Sequence, residues 1–377
     1  MALISYLTTI RFEAGALAAL PEEMAAVGIR RPLVVTDRGI ADCGLLEKLL
    51  ATLPDRQSAS VFDETPANPT EAAVEAALQR YQTVGCDGLV AFGGGSSMDL
   101  AKAVGLMATH EGPLEQYMAI LGGVPRITDA MAPVIAIPTT AGTGSEVGRG
   151  AVITLHDGRK LAMLSPNLIP KRAICDPELT LGLPPLITAA TGMDAMTHCI
   201  ETFISPLENP PAAAIALDGV GRAGRWIERA TRQGDDLEAR WNMMMAALHG
   251  GLTFQKGLGA VHAMSHPLGS IQEPRLHHGT LNAVILPAVL RFNASHTGEK
   301  YAELRRVLGL EPDADLSDFI AGLNARLGLP ANLREMGVTD EMIPAMVEGA
   351  LVDHTSATNP RPASREDYEA LFAEAMG

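Results

Sequence analysis

The sequence predicts an α/β domain built on a largely parallel sheet, followed by an all-helical domain. In the first half of the 377 residues, short β-rich runs alternate with stretches of helical periodicity, which is the pattern of a parallel sheet with helices on both faces. After Thr188 the β-rich runs fade, and segments rich in Ala, Leu and Met continue with helical spacing to the C-terminus. We place the boundary near residue 184, which predicts domains at 1–184 and 185–377.

Apolar periodicity and turn chemistry predict the elements of the α/β domain. Strand patterns occupy residues 33–37, 89–92, 134–137 and, more weakly, 172–175, and helical spacing occupies 70–84 and 97–108. Thr70 or a neighbour is expected to cap the first of these helices. Two further β-like runs, 150–155 and 160–164, flank an Asp157-Gly158 step, which favours a hairpin turn.

Composition excludes several classes of function. The formal charge is −15, from 44 acidic and 29 basic residues, so neither nucleic acid nor an anionic membrane is expected as a partner. No apolar run approaches membrane-spanning length, and the N-terminus lacks the features of a signal peptide. The four cysteines have no paired spacing, so they are expected to be reduced thiols of a cytoplasmic protein.

Three loops at predicted strand ends indicate a nucleotide site. Residues 93–97, with the sequence GGGSS, lie between a strand and a helix, where glycines let backbone N–H groups approach a pyrophosphate; the alternative is a tight turn. Asp37 ends the first strand and would bind adenosine ribose hydroxyls, or else simply cap the next helix. The loop 138–146 is rich in hydroxyls and glycines, which suits a nicotinamide, ribose or phosphate as well as an ordinary polar loop.

A second group of residues, in the helical half, has the spacing of metal ligands. The candidates are Asp194, His198, His262, His266, His277 and His278. Asp194 and His198 lie one helical turn apart, as do the 262 and 266 pair, although Pro267 should end the second helix. A carboxylate with two or three imidazoles is a usual ligand set for Fe²⁺ or Zn²⁺, and the alternative is a polar helix–helix interface. Adjacent residues point in different directions, so only one of 277 and 278 is expected to be a ligand.

The motifs together resemble those of the iron-containing alcohol dehydrogenases. The matching stretches are 93–96, 138–146, 176–180, 192–198 and 262–269, in the family's order and across nearly the whole chain. The resemblance implies a Rossmann-like dinucleotide-binding domain and an all-helical domain, in the dehydroquinate synthase-like architecture, with a metal site in the cleft between them. It also implies NAD and Fe²⁺ as cofactors, with Zn²⁺ as the alternative metal, and a homodimer.

Carried over motif by motif, the resemblance implies a role for each candidate residue. The implied metal ligands are Asp194, His198, His262 and His278, the last because it precedes Gly279. His266 is similar to the non-ligand histidine near the substrate, and we predict that it relays the proton that accompanies hydride transfer. The implied cofactor contacts are Asp37, Gly94, Gly95, Ser96, Asp99, Thr139, Thr140, Ser145, Lys160 and Leu179.

Within the family, the chain is most similar to members that interconvert 4-hydroxybutyrate and succinic semialdehyde with NAD(H). The stretches 67–71, 146–150, 254–259 and 276–283 carry this closer resemblance. It implies a short hydroxy acid or aldehyde acid as the substrate, and Arg149 and Lys256 are the candidate cations for its carboxylate. The alternative for each cation is an ion pair with a protein carboxylate such as Glu146 or Glu201.

Other functions stay open on the sequence alone. A general dehydrogenase of short alcohols or diols would keep the fold without acid binding, and a maleylacetate reductase-like or sulfonate-aldehyde reductase activity would also use a cationic pocket. The Thr-rich loop and the ligand set argue against a metal-free lyase of the same architecture. A metal-dependent structural or assembly protein would bind metal without turning over NADH.

Overall fold

The computed structural model describes residues 8–271 and 273–377. Within these residues the chain forms two compact units. One comprises residues 8–140 and Ser145–Thr180, and the other comprises Ala141–Gly144 and Leu181–Gly377. They are called the α/β unit and the helical unit below.

Eight strands are described, and all belong to the α/β unit. They are β1 (Thr9–Phe12), β2 (Pro32–Val35), β3 (Ser60–Phe62), β4 (Gly88–Gly93), β5 (Val134–Pro138), β6 (Gly150–Thr154), β7 (Lys160–Leu164) and β8 (Arg172–Cys175). Six form one sheet in the order β1-β8-β5-β4-β2-β3, in which all neighbours are parallel. The four predicted strands are confirmed. The sequence does not predict the two edge strands, because β1 lacks the apolar run of the buried strands and β3 spans only three residues.

Helices cover both faces of this sheet. Those of the α/β unit are α1 (Leu20–Ala26), α2 (Arg38–Asp42), α3 (Leu45–Leu50), α4 (Glu71–Val84) and α5 (Gly95–Met107). Side chains alternate along a strand, so Leu33 and Val35 of β2 pack in one cluster with α4 and α5. Val34 packs in the other cluster, with side chains of α1 and α3.

Two local predictions in this unit are confirmed. Thr70 caps α4, because its hydroxyl accepts a hydrogen bond from the backbone N–H of Ala73. Strands β6 and β7 pair antiparallel, with Thr154 opposite Lys160, and form the hairpin that the Asp-Gly step favours.

The helical unit contains no strand among its described residues. Its helices are α6 (Pro185–Ile204), α7 (Pro210–Arg232), α8 (Leu237–Thr253), α9 (Ala260–Leu268), α10 (His278–Asn293), α11 (Lys300–Leu308), α12 (Leu316–Arg326), α13 (Ile343–Val352) and α14 (Arg365–Met376). Helix α6 packs against α7, α8 and α10, and α9 packs against α10 and α13. Helix α9 ends directly after Pro267, which interrupts the hydrogen-bond ladder. In the part of the chain that the structure describes, no helix is both long and apolar enough to cross a membrane.

Candidate metal and nucleotide sites

Four side chains from three helices meet in the helical unit. Asp194 and His198 lie one turn apart on α6, His262 lies on α9, and His278 is the first residue of α10. The Nε2 atoms of the three histidines lie 3.7, 3.9 and 3.8 Å, in that order, from Oδ1 of Asp194. Donor atoms of the aspartate and of the last two histidines all lie within 4.8 Å of one another. The structure therefore brings the four implied ligands together.

Burial and one hydrogen bond prepare the imidazoles to act as ligands. Burial lowers the pKa of His262 to about 3 and that of His198 to about 4, so both rings are neutral near pH 7. Glu201 lies one turn beyond His198 on α6, and its Oε2 accepts a hydrogen bond from Nδ1 of His262 at 2.5 Å. Because Nδ1 carries the proton, the lone pair of Nε2 is available to a cation. Sequence reasoning missed Glu201 in this role, although its helical spacing from His198 was visible.

Asn282 places an amide among the same atoms. It lies one turn after His278 on α10 and is fully buried. Its Nδ2 lies 2.7 Å from Oδ1 of Asp194, 3.1 Å from Nε2 of His262 and 3.2 Å from Nε2 of His278. The sequence does not single out Asn282, because an amide is not among the usual carboxylate and imidazole ligands of Fe²⁺ or Zn²⁺.

The donor set fits a divalent transition metal. A carboxylate oxygen and neutral imidazole nitrogens are ligands that suit both Fe²⁺ and Zn²⁺, so the donors alone do not select between the two. The carboxylate belongs to a buried residue, which favours a cation beside it because a buried charge needs a partner. These four residues would hold the metal that the family resemblance implies.

His266 lies beside the donor set but binds a different partner. Its Nδ1 lies 2.9 Å from Oδ2 of Asp353, whose other oxygen accepts hydrogen bonds from the N–H and hydroxyl of Thr355. Burial alone would raise the pKa of Asp353, but the charge of His266 and this hydrogen bond hold it well below its usual range. The rings of His278 and His354 stack near that of His266, at centroid distances of 5.7 and 6.0 Å. Asp353 thus orients the ring of the predicted proton relay.

His277 occupies a different position from its neighbour. It is the N-cap residue of α10, and its Nδ1 accepts a hydrogen bond from the backbone N–H of Thr280 at 3.3 Å. The group of donor atoms around Asp194 and His262 includes His278 and does not include His277. The geometry therefore favours His278 as the fourth ligand.

Three strand ends of the α/β unit collect the predicted nucleotide-binding residues. Strands β2, β4 and β5 are parallel neighbours, so Asp37, Gly94 and the Thr139-Thr140 pair lie at the same edge of the sheet. A Cβ atom built on Gly94 would lie 3.6 Å from the side chain of Thr140, so these two loops approach closely. Oδ1 of Asp37 accepts a hydrogen bond from the backbone N–H of Ile40 at 3.1 Å, and the residue therefore also caps α2.

The N-terminus of α5 is suited to an anion. Gly94 is its N-cap residue and supplies no side-chain cap, so the first N–H groups of this 13-residue helix have no side-chain partner there. The hydroxyl of Ser96, in the first turn, donates a hydrogen bond to the carbonyl of Ala67. Oγ1 of Thr139 is buried and has no hydrogen-bond partner among the described residues. These features fit the pyrophosphate and ribose groups of NAD.

The other polar candidates form a buried network in the same unit. Nζ of Lys102 donates a hydrogen bond to Oγ of Ser145, which donates to Oδ1 of Asp99, both at 2.8 Å. Nζ of Lys160 donates to Oδ1 of Asn68 at 2.9 Å, and its charge also interacts with that of Asp99. Burial lowers the pKa of Lys160 to about 8. The network joins the loop after β5 to the β6–β7 hairpin.

The three remaining candidates lie in different environments. Arg149 is exposed, and within the described residues no hydrogen bond or ion pair engages its guanidinium group. Lys256 is buried, and its Nζ donates to the carbonyls of Leu207 at 2.6 Å and Ser205 at 3.4 Å, directly after α6. Burial lowers the pKa of Lys256 to about 8. Leu179 is buried in the core on the α1 and α3 face of the sheet, where its side chain packs against apolar residues.

Comparison with known protein families agrees with this geometry. The family described as iron-containing alcohol dehydrogenase matches residues 8–177, and the C-terminal part of the Fe-containing alcohol dehydrogenase family matches residues 188–376. The chain belongs to the iron-containing alcohol dehydrogenase family. The resemblance drawn from the sequence motifs is thus confirmed over almost the whole chain.

Individual relatives of this alcohol dehydrogenase extend along its full length. The 4-hydroxybutyrate dehydrogenase of Cupriavidus necator is 55% identical, with 100% of both chains covered. A crystal structure of 1,3-propanediol oxidoreductase matches with a TM-score of 0.93 at 35% identity, and covers 100% of both chains. Sulfoacetaldehyde reductase from Bifidobacterium kashiwanohense, solved in complex with NAD⁺, matches with a TM-score of 0.89 at 28% identity and covers 100% of this chain and 98% of its own.

These matches confirm the predicted fold class and enzyme class. The Rossmann-like α/β unit and the helical unit both have counterparts in solved alcohol dehydrogenases. The chain is therefore an NAD-dependent oxidoreductase of the iron-containing alcohol dehydrogenase type.

Proposed function

We propose that this alcohol dehydrogenase interconverts 4-hydroxybutyrate and succinic semialdehyde. The convergence of donor atoms from Asp194, His262 and His278 carries the proposal, in a chain 55% identical over its full length to a 4-hydroxybutyrate dehydrogenase. In this proposal residues 1–184 bind NAD(H). Residues 185–377 bind Fe²⁺, with Zn²⁺ as the alternative, through these three residues and His198.

Each group around the donor set has a separate task. When bound, the metal supplies Lewis acidity, and NAD⁺ accepts the hydride. Asp194 contributes the negative charge of the set, and Glu201 holds the ring of His262 so that its Nε2 faces the other donors. The bare N-terminus of α5 holds the pyrophosphate. The carboxylate of Asp37 would accept hydrogen bonds from the ribose hydroxyls of NAD. Its charge would repel the 2′-phosphate of NADP, so NAD is preferred to NADP.

His266 is the residue we assign to proton transfer. Oxidation of an alcohol releases a proton together with the hydride, so a titratable group must receive it. The Nδ1 of His266 is held by Asp353, which leaves Nε2 as the exchanging atom. Asp353 therefore fixes the orientation of the ring that receives the proton during oxidation.

Arg149 is the better-supported cation for the substrate carboxylate. In the described part of the chain its guanidinium has no partner, although the protein carries a formal charge of −15. A guanidinium binds a carboxylate through two parallel hydrogen bonds. Lys256, in contrast, already donates to two backbone carbonyls, which gives it a structural role after α6.

The test compares an acidic aldehyde with a neutral one of the same length. We expect Arg149→Ala to lower kcat/KM for succinic semialdehyde by about 2–4 kcal/mol of transition-state stabilisation and to leave butanal almost unchanged. Arg149→Lys keeps the charge but loses the two parallel bonds, so its effect should be intermediate. Equal losses with both aldehydes would show that Arg149 does not bind the carboxylate.

A wider substrate panel decides between the proposed substrate and the alternatives. Faster turnover of short diols or of a sulfonate aldehyde than of succinic semialdehyde would show that the proposed substrate is wrong and that the enzyme class is right. Metal binding without any NADH-dependent absorbance change at 340 nm would instead indicate a structural or assembly protein.

We further propose that the enzyme is a homodimer of the cytoplasm. All four cysteines are free thiols in the structure, as expected in a reducing compartment. The dimer is the assembly that the family resemblance implies. Light scattering after size-exclusion chromatography tests it, and a monomer at micromolar concentration would contradict it.

A further inference from the structure

A neutral amide bridges three of the proposed metal ligands. Nδ2 of Asn282, on α10, lies within 3.2 Å of Oδ1 of Asp194, Nε2 of His262 and Nε2 of His278. These atoms come from α6, α9 and α10, so one buried side chain links three helices at the donor set. Nothing in the proposed reaction requires an amide at this place.

The chemistry of the neighbours determines which end of the amide faces them. The carboxylate of Asp194 can only accept hydrogen bonds. Nε2 of His262 is also an acceptor, because Nδ1 of the same ring donates to Glu201. An amide oxygen at this position would face other lone pairs, so the amide NH₂ group must face the donor set. Oδ1 of Asn282 is then left buried without a hydrogen-bond partner among the described residues, which is an unfavourable arrangement elsewhere in a core.

The hydrogen bonds to the imidazoles and a bound metal exclude each other. Each Nε2 has a single lone pair, which can accept a hydrogen bond or bind a metal ion but cannot do both. We propose that Asn282 is a surrogate for the metal, which holds the ligands together in the metal-free enzyme and gives up the imidazoles when metal binds. This inference rests on the proposed metal site.

A thermodynamic consequence follows from that exclusion. An interaction that exists only in the metal-free folded protein stabilises that form and weakens metal binding by the same factor. Removal of the amide should therefore destabilise the metal-free enzyme and tighten its affinity for metal. A residue that merely supports the helical core would destabilise both forms equally.

The experiment uses the full-length enzyme and Zn²⁺ alone as the probe. We compare the wild type with Asn282→Ala and Asn282→Leu, and measure the Zn²⁺ Kd by chelator competition and Tm with and without Zn²⁺. The NH₂ group has two hydrogens and donates one of them to Asp194, so one modest hydrogen bond, shared between the two imidazoles, is lost. The Kd is therefore expected to fall about fivefold. The Tm of the metal-free variants should fall roughly 3 °C further than that of the Zn²⁺-loaded ones. Leucine keeps the branched outline of asparagine with a larger volume and leaves no cavity, so Asn282→Leu gives a second measurement if the alanine variant does not fold.

Asn324→Ala is the matched control. Asn324 on α12 is also a buried asparagine, whose Nδ2 donates to the carbonyl of Ala283 at 2.6 Å and whose Oδ1 has no partner in the described residues. Among the described residues no hydrogen bond joins its side chain to the proposed ligands, so its loss should lower both Tm values equally and leave the Zn²⁺ Kd unchanged.

The outcomes separate this inference from the proposed metal site. Zn²⁺ affinity that is unchanged in both Asn282 variants would show that the amide and the metal coexist. Weaker affinity would show that the amide supports the bound metal, and either result overturns the surrogate role. A wild type that binds no Zn²⁺, or that binds it equally well after Asp194→Ala, would overturn the metal site itself.

Discussion

The proposed metal site and the proposed nucleotide site are built by opposite means. In the helical unit, four side chains from three helices point donor atoms at a common, largely buried place. In the α/β unit, glycine backbone and the bare N-terminus of α5 would provide most of the nucleotide site, and loops after three neighbouring strands would provide the rest. A site made of side chains depends on each of them, whereas a site made of backbone depends on the path of the chain. Single substitutions should therefore reduce kcat/KM more in the proposed metal site than in the proposed nucleotide site.

Loss of Asp194 is expected to have the largest effect. Asp194→Ala removes the charged ligand, so metal content should fall and kcat/KM should decrease by at least about 10³-fold, since Lewis acidity contributes several kcal/mol. Elemental analysis and NADH kinetics measure both quantities. The control, His296→Ala, changes an exposed histidine beyond α10 and should alter neither. Full metal content and kcat in the Asp194 variant would contradict a site made of side chains.

Asp353→Asn should have the next largest effect. It keeps the shape of the side chain but removes the charge that holds Nδ1 of His266, so we expect kcat to fall by roughly 10- to 100-fold with metal content unchanged. If kcat stays the same and only the KM for NADH changes, His266 is not the proton relay.

The stability of the same variant gives an independent pH test. The pKa of Asp353 is lowered from 3.8 in the folded protein, so its stabilising contribution is present above that value and is lost as the pH falls through the folded pKa. The difference in Tm between the wild type and Asp353→Asn should thus be largest near neutral pH and should shrink below about pH 4. A difference independent of pH would contradict the charge interaction.

A smaller effect is expected at Asp37, because backbone groups would make most of the contacts in the proposed nucleotide site. Asp37→Gly should raise the NADP/NAD ratio of kcat/KM by about tenfold, since it removes the charge that repels a 2′-phosphate. Asp42→Gly is the matched control, because it removes an exposed carboxylate from the other end of α2 and should leave the ratio unchanged. The two variants are compared in the same assay, and an unchanged ratio for Asp37→Gly would leave this residue only its capping role.

The smallest expected effect is a pH dependence at Lys160. Burial lowers its pKa to about 8, so the ammonium is charged below that pH and loses its proton above it. If it contacts the cofactor, the Kd for NADH should rise roughly fivefold between pH 7 and about 9.5, as one modest charge interaction is lost. Lys160→Arg stays charged throughout and should abolish the rise. The same rise in both proteins would assign the titration to another group.

Local periodicity explains what could be predicted and what could not. Asp194 and His198 could be paired from the sequence, because residues four apart share one face of a helix. The same rule paired His262 with His266, but only His262 belongs to the group of donor atoms around Asp194. His266 turns to Asp353, which is 87 residues away in the chain. No short spacing links such residues, because their contact depends on how α9 and α13 pack.

Charge alone was also an incomplete guide. Arg149 and Lys256 are both cations next to family motifs, and residue type does not distinguish them. The structure leaves the guanidinium of Arg149 exposed, whereas the ammonium of Lys256 is bound to two carbonyls after α6. Burial and hydrogen bonding, which arise only on folding, separate a substrate candidate from a structural lysine.

The amino-acid sequence was sufficient to identify the family and most of the order of strands and helices, and it predicts which residues bind a metal and a nucleotide. Those properties reside in short segments, where residue type and the helical or strand period are sufficient evidence. Three contacts became visible only in the folded chain: Glu201 with His262, Asp353 with His266, and the amide of Asn282 with the proposed ligands. Hydrogen bonds depend on distance and angle between atoms, and here those atoms are brought together by the packing of helices that are distant in the chain.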